Sequence, residues 1–455
     1  MSEKLQRSMS LTGCVAMIIG VVIGASIFVL VPALAGMTGP SLFLAYTISV
    51  VPAIFTGLYL MQLGGALPVT GANYFAVTRW LSPTAGFTVS LAAVVAMIST
   101  NCLIAWGFAK YIASYFPAFS ITGCAIVIII IFGFVNWIGV RMFVWIQALM
   151  LLLLLLAMIV FGIGGLFHIN PEYTQPLFPQ GIGKFIMVIA IATFSWAGFI
   201  AITEVAGEVK NPKRNIPVAI IISLVLVLFF YILQTYVFTG TLLWSEAPKI
   251  GDTAFLAAAR TFLPEWVVAF IAFAALLAMA TTINSIMFMA AREMYAWSRD
   301  HVIPTVFNRI NRRFYTPEMA ILLMTVLSVI SIIFAAGLEK YALMVVFALM
   351  VIQSFGATAV WKMPKRASDI YEKALFKFSP FWRWFTWIGC LVCFTLIFLF
   401  GMLADLKTGL IFIGILAVGL IYWFWRKSHL RKRGIDLAET LSEMSDEVIS
   451  ELEAT

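Results

Sequence analysis

The chain has 455 residues, 62% hydrophobic and 11% charged, with a formal net charge of +8. Soluble domains carry about 25% charged residues, so this composition excludes an ordinary soluble fold. The apolar runs 148–165 and 220–237 are continuous, which argues against an outer-membrane barrel, whose strands alternate over about ten residues.

The chain therefore reads as an all-α, polytopic membrane protein. Residues 1–10 are polar and short, and the apolar stretch after them is long and broken by small residues; a retained first helix is expected rather than a cleaved signal peptide. Twelve spans are expected near 11–35, 41–63, 85–112, 121–138, 142–166, 184–206, 214–239, 264–291, 318–336, 341–361, 384–404 and 408–425. A short helix is expected at 252–260, before the eighth span. With twelve spans both ends share one side, and 23 of the 29 Lys and Arg fall on that side. This bias places both termini in the cytoplasm of a multi-pass protein of the inner or plasma membrane. The net charge thus reflects topology, and no nucleic-acid partner is implied. The run 426–433 is basic and could contact anionic lipid; the tail beyond it is acidic. The five Cys have no metal-like spacing, and they read as small apolar residues within helices.

Two spans are interrupted. The first carries Gly20 and then Gly24, Ala25 and Ser26; the sixth carries Thr193-Phe194-Ser195-Trp196-Ala197-Gly198. Unwound backbone inside a bilayer needs partners, and a ligand can supply them. The half-helix after a break presents N–H groups to a carboxylate, and the half-helix before it presents carbonyls to an ammonium. Together these describe an amino acid or a small amine. Gly24, Ala25 and Ser26 are the first candidates, with close helix packing as the alternative. Gly198 could free a carbonyl for the amine. Phe194 and Trp196, two positions apart, cannot share a helix face; both are gate candidates, Phe194 as a lid over the ligand and Trp196 facing the bundle, with packing alone as the alternative.

Asn101, in mid-span, contacts either a substrate side chain or another helix. Thr281 and Thr282 are hydroxyls that could bind a hard cation together with carbonyls of Gly20 or Ile23; helix–helix bonding is the alternative. Glu204, near the inner end of the sixth span, is a candidate for proton coupling or for pairing with a basic residue. No metal site, P-loop, HExxH or GxSxG motif is present, so neither an enzyme nor a cofactor is expected. A coupling ion, Na+ or H+, remains open.

Four motifs, quoted as they stand, carry a resemblance: Ile23-Gly24-Ala25-Ser26-Ile27-Phe28, Leu67-Pro68-Val69-Thr70-Gly71-Ala72-Asn73-Tyr74, Glu208-Val209-Lys210-Asn211-Pro212-Lys213-Arg214-Asn215-Ile216-Pro217, and Arg299-Asp300-His301-Val302-Ile303-Pro304. The chain resembles the amino acid-polyamine-organocation (APC) superfamily of permeases. The resemblance implies a LeuT-type fold within one transporter domain. Residues 11–166 and 184–361 would form a 5+5 inverted repeat with discontinuous helices 1 and 6, followed by helices 11 and 12 at 384–425 and a cytoplasmic tail at 426–455. It implies that Ala25, Ser26 and Ile27 approach the substrate carboxylate and that the Ile23 and Ala197 carbonyls approach the amine. Phe194 falls at the family's aromatic gate and Asn101 at a side-chain contact. Ile286 stands where arginine/agmatine exchangers use tryptophan, and the fifth span lacks the lysine some members carry. The expected activity is secondary transport or exchange of amino acids or small amines by alternating access. The alternatives are a permease for another organic or inorganic cation, or a non-transporting amino acid sensor. The protein could act as a monomer or as a homodimer joined through spans eleven and twelve.

Overall fold

The computed structural model describes residues 7–69, 71–334, 338–374 and 376–433. Among the described residues the regular structure is helical, apart from one isolated bridge between Met9 and Val209. Ten stretches of the described residues are long and apolar enough to cross a membrane; Ile121–Trp137 and Glu318–Ile333 are shorter apolar helices.

Helix α1 (Leu11–Ala25) begins where Ser10 Oγ accepts from Gly13 N, satisfying a donor with no partner inside the helix. It passes through a π-helical turn, Ser26–Leu30, into α2 (Val31–Thr38). Next come α3 (Leu42–Ile48), α4 (Val50–Ala66) and α5 (Ala72–Trp80). Ser82 caps α6 (Pro83–Tyr115) and Ser120 caps α7 (Ile121–Trp137), which is followed by α8 (Val140–Leu166). Helix α9 (Gly181–Ala192) tightens into a 3-10 segment, Thr193–Ile200, and continues as α10 (Ala201–Glu204). Helix α11 (Pro212–Thr241) starts on a proline, whose missing N–H costs nothing there. Two short helices, α12 (Ala247–Ile250) and α13 (Ala254–Arg260), lead to the long α14 (Glu265–Arg299). The chain continues with α15 (Glu318–Ile333), α16 (Leu338–Arg366), α17 (Ser368–Lys373), α18 (Pro380–Ala404) and α19 (Leu406–Arg431).

Helix α14 lies at the centre, packed against α1, α6, α8 and α15, and its stretch from Ala278 to Met294 is buried. Apolar side chains such as Leu403, Val418, Ile421 and Phe424 on α18 and α19 face outward, as does Trp145 on α8. So large an apolar exterior suits lipid and would aggregate in water. The protein is a multi-pass membrane protein.

Two close approaches explain the irregular segments. Gly24 has non-helical dihedrals, φ 12° and ψ −123°. A methyl group there would overlap Thr282 Oγ1 and lie 3.3 Å from the Ala278 carbonyl, so only glycine lets α1 press onto α14. At Gly198 a methyl group would sit 2.6 Å from Val21 Cγ1 and 2.8 Å from Val22 Cγ2, so the 3-10 segment lies directly on α1.

Candidate functional site

These two approaches leave a cavity of about 70 Å³ between α1, α6, the 3-10 segment, α14 and α16. Its polar lining side chains are Ser26, Thr100, Ser195 and Thr282; the rest are apolar or glycine, and none is charged. Phe194 forms one wall, with Ile286 on α14 and Leu349 on α16 also lining the space.

The irregular segments meet at one side chain that the sequence did not single out. Tyr231 of α11 is fully buried, and its hydroxyl lies 2.6 Å from the Val22 carbonyl, 3.0 Å from the Ser195 carbonyl and 2.8 Å from Ser26 Oγ. It thus reaches a carbonyl of each irregular segment and the hydroxyl of Ser26. Ser26 Oγ in turn lies 3.0 Å from the Ile23 carbonyl and 3.2 Å from that of Val22. The Tyr231 ring packs edge-on against Tyr46 and Trp196, with each pair of centroids 5.1 Å apart. A lone hydroxyl in the run Phe229-Phe230-Tyr231 was the available signal.

The expected site residues separate in space. Ser26, Phe194, Ala197, Gly198 and Ile286 line the cavity, as does Thr282. Ile23 and Ile27 are buried outside its wall, and Gly24 packs on α14. The backbone of Ala25 closes α1; its side chain lies outside the described residues. Asn101 is buried away from the wall and donates from Nδ2 to Met287 Sδ at 3.2 Å, while its neighbour Thr100 takes the lining position. Trp196 turns to the opposite side of its segment, where Nε1 donates to Ser49 Oγ at 2.9 Å, and lines a smaller cavity of about 10 Å³ with Thr56 and Gln353.

The expected cation oxygens are engaged with one another. Thr281 Oγ1 and Thr282 Oγ1 approach the Gly20 carbonyl at 3.1 and 3.2 Å, and both also approach the Ala278 carbonyl. The Gln147 amide nitrogen abuts Gly20 as well, and an N–H donor there opposes a cation. Among the described residues no group of three or more His, Cys, Asp or Glu side chains is placed to hold a metal ion. Glu204 lies one turn beyond the lining residue Ile200, buried and outside the wall. Glu208, four residues on, forms a buried ion pair with Arg292: Nε to Oε1 is 2.7 Å and Nη2 to Oε2 is 3.5 Å.

Comparison with known proteins agrees with a solute pathway. The model of the amino acid permease family matches residues 9–423. Three relatives come from Bacillus subtilis (strain 168). The chain is 23% identical to the branched-chain amino acid permease BcaP, over 70% of this chain and 72% of that protein. It is 25% identical to the methylthioribose transporter, with the same two coverages. It is 27% identical to the aspartate-proton symporter, over 71% of this chain and 66% of that protein. A chain matched from before α1 to within α19, and built of membrane-length helices, is a transport protein rather than an enzyme: it belongs to the amino acid permease family of the APC superfamily.

Proposed function

We propose that the protein carries a neutral amino acid with an apolar side chain across the plasma membrane by alternating access. The carrying observation is the cavity between the two irregular segments, whose wall is apolar and uncharged. Burying a Leu-sized side chain there contributes about 1.5–3 kcal/mol. A guanidinium or carboxylate in the same space would lack a counter-charge and be disfavoured by several kcal/mol (~2.5–3.5 for a charge at a bilayer centre). Asn101, the residue that would have favoured a polar or cationic end, lies off the wall.

In this reading the backbone near Val22, Ser195 and Ala197 receives the ammonium group, Ser26 and the turn after it receive the carboxylate, and Phe194 closes over both. The chain crosses the bilayer twelve times, counting Ile121–Trp137 and Glu318–Ile333 as crossings, and both termini are cytoplasmic. The relative named as a branched-chain amino acid permease supports the substrate class.

The test is exchange of labelled leucine by the purified protein in liposomes. Excess isoleucine, valine or methionine should compete, and arginine and aspartate should not. Competition by arginine alone, or no exchange of any amino acid by folded protein, would overturn the reading.

A further inference from the structure

A second acidic residue stands beside Glu204. Glu293 of α14 faces it, and both side chains are buried, at 2% and 1% exposure. Their carboxyl groups share one buried space, with Glu293 Oε2 3.8 Å and Glu204 Oε2 4.0 Å from the point where a side chain at Gly71 would begin. Two carboxylates offer only acceptors, so a bond between them requires a proton on one. Glu204 Oε2 and Glu293 Oε2 meet no hydrogen-bond donor among the described residues.

The neighbouring charges balance at most one of the two carboxylates, because Arg79 and Arg299 share the single Asp300 and leave one positive charge near Glu293. On α14, Arg292 pairs with Glu208, and Arg299 pairs with Asp300 at 3.1 Å. On α5, Arg79 is 3.5 Å from the same Asp300, and Tyr74 stands beside that cluster. Tyr59 of α4 donates to Gln353, and Cys14 is the ionisable residue of α1. On α15, Glu318 accepts from Asn311. Arg260 and Glu265 pair at the other end of α14. Among the described residues, then, neither Glu204 nor Glu293 has an ion-pair partner.

The pair is also placed to report its state. Both Oε2 atoms lie within 4.0 Å of where a side chain at Gly71 would begin, and Gly71 N donates to the Glu204 carbonyl at 3.2 Å. One turn before Glu204, Ile200 lines the substrate cavity. Beyond it the chain end is strapped down: Met9 N donates to the Glu208 carbonyl and Lys210 N to that of Met9, at 2.9 and 2.8 Å. Charging both carboxyl groups would force them apart, between the cavity and this closed end.

We propose that Glu204 and Glu293 form a one-proton site that couples solute transport to proton movement. The proton enters the pair when this end is closed, holding α10 against α14. Its release leaves two like charges, which separate α10 from α14 and free the segment around Gly71. The proton passes between water and a carboxyl oxygen, so one O–H bond forms on uptake and breaks on release, and the proton gradient is the driving partner. The inference rests on the permease reading for its solute but not for the shared proton itself.

Two measurements test it. In liposomes under an inward proton gradient, wild-type protein should take up protons together with labelled leucine. In E204Q/E293Q, with folding checked by circular dichroism, the protons moved per leucine should fall to background. In the purified protein, the infrared carbonyl band of a protonated carboxyl should be present at neutral pH and lost in E293Q, a milder variant that keeps an amide–carboxylate bond in the pair. Wild-type leucine exchange without proton movement would overturn the coupling site and leave the permease reading intact. An unchanged infrared band in E293Q and E204Q would overturn the shared proton, whatever the solute. The band present and lost as expected, with no leucine exchange, would support the shared proton and overturn the permease reading.

Discussion

Replacing Tyr231 by phenylalanine tests whether one hydroxyl holds the two irregular segments together. The hydroxyl donates one proton, so at any moment it serves the Val22 carbonyl at 2.6 Å or the Ser195 carbonyl at 3.0 Å. In Y231F the Ser26 hydroxyl, 3.2 Å from the Val22 carbonyl, can still cover that group. Among the described residues no second side chain is hydrogen-bonded to the Ser195 carbonyl. The loss is one hydrogen bond, about 0.5–1.5 kcal/mol net, plus a share of the about 1–3 kcal/mol for a buried acceptor left unpaired. Y231F should therefore lose roughly 1–3 kcal/mol of stability. Leucine affinity should weaken by up to about tenfold for each 1.4 kcal/mol that reaches the site. Thermal unfolding in detergent and leucine titration measure the two effects. In a cycle with Ser26→Ala, a coupling of about 0.5–3 kcal/mol is expected, because the two hydroxyls share one network. Wild-type stability with unchanged leucine affinity in Y231F would refute the reasoning.

Three further predictions come from single contacts. Gly198→Ala puts a methyl group 2.6 Å from Val21 Cγ1 and should cost about 1–3 kcal/mol by overpacking, seen as a lower unfolding temperature and partly restored by Val21→Ala. Arg292→Met strands Glu208 in a buried site and should cost about 3–5 kcal/mol, whereas R292M/E208Q should recover much of that loss in the same unfolding assay. Asp405, in the turn before α19, is held below its ordinary carboxyl range, first by the Thr408 hydroxyl and then by the Thr408 N–H. A lowered folded value means its contribution is complete above the unfolded value and fades as pH falls through the folded one. The stability gap between wild type and Asp405→Asn should thus be present at neutral pH and close in acid.

Helices and their starts were legible because their causes are local. Apolar runs announced the long helices; the capping serines at 10, 82 and 120, at the starts of α1, α6 and α7, are equally local signals that the reading of the runs passed over. The small residues around Gly24 and Gly198 marked where α1 and the 3-10 segment press on their neighbours, since a methyl group fits at neither. What a side chain faces was harder to read. Each helical residue turns the face by about 100°, so Thr100 lines the cavity while Asn101 meets Met287. The resemblance named the Ile23 and Ala197 carbonyls, whereas those of Val22 and Ser195 converge on Tyr231. That convergence joins residues 209 positions apart, beyond any local pattern. Glu293 escaped notice for the same reason: beside Arg292 in sequence it reads as half of a charge pair, yet Arg292 turns to Glu208.

The most direct test of the apolar seat is thermal stabilisation of the purified protein by each of the twenty amino acids, with and without sodium. A ligand bound only to the native state raises its apparent stability. Leucine, isoleucine, valine and methionine should stabilise the protein with no dependence on sodium, and arginine, lysine, aspartate and glutamate should not. Stabilisation confined to charged amino acids, or one that requires sodium, would contradict the account.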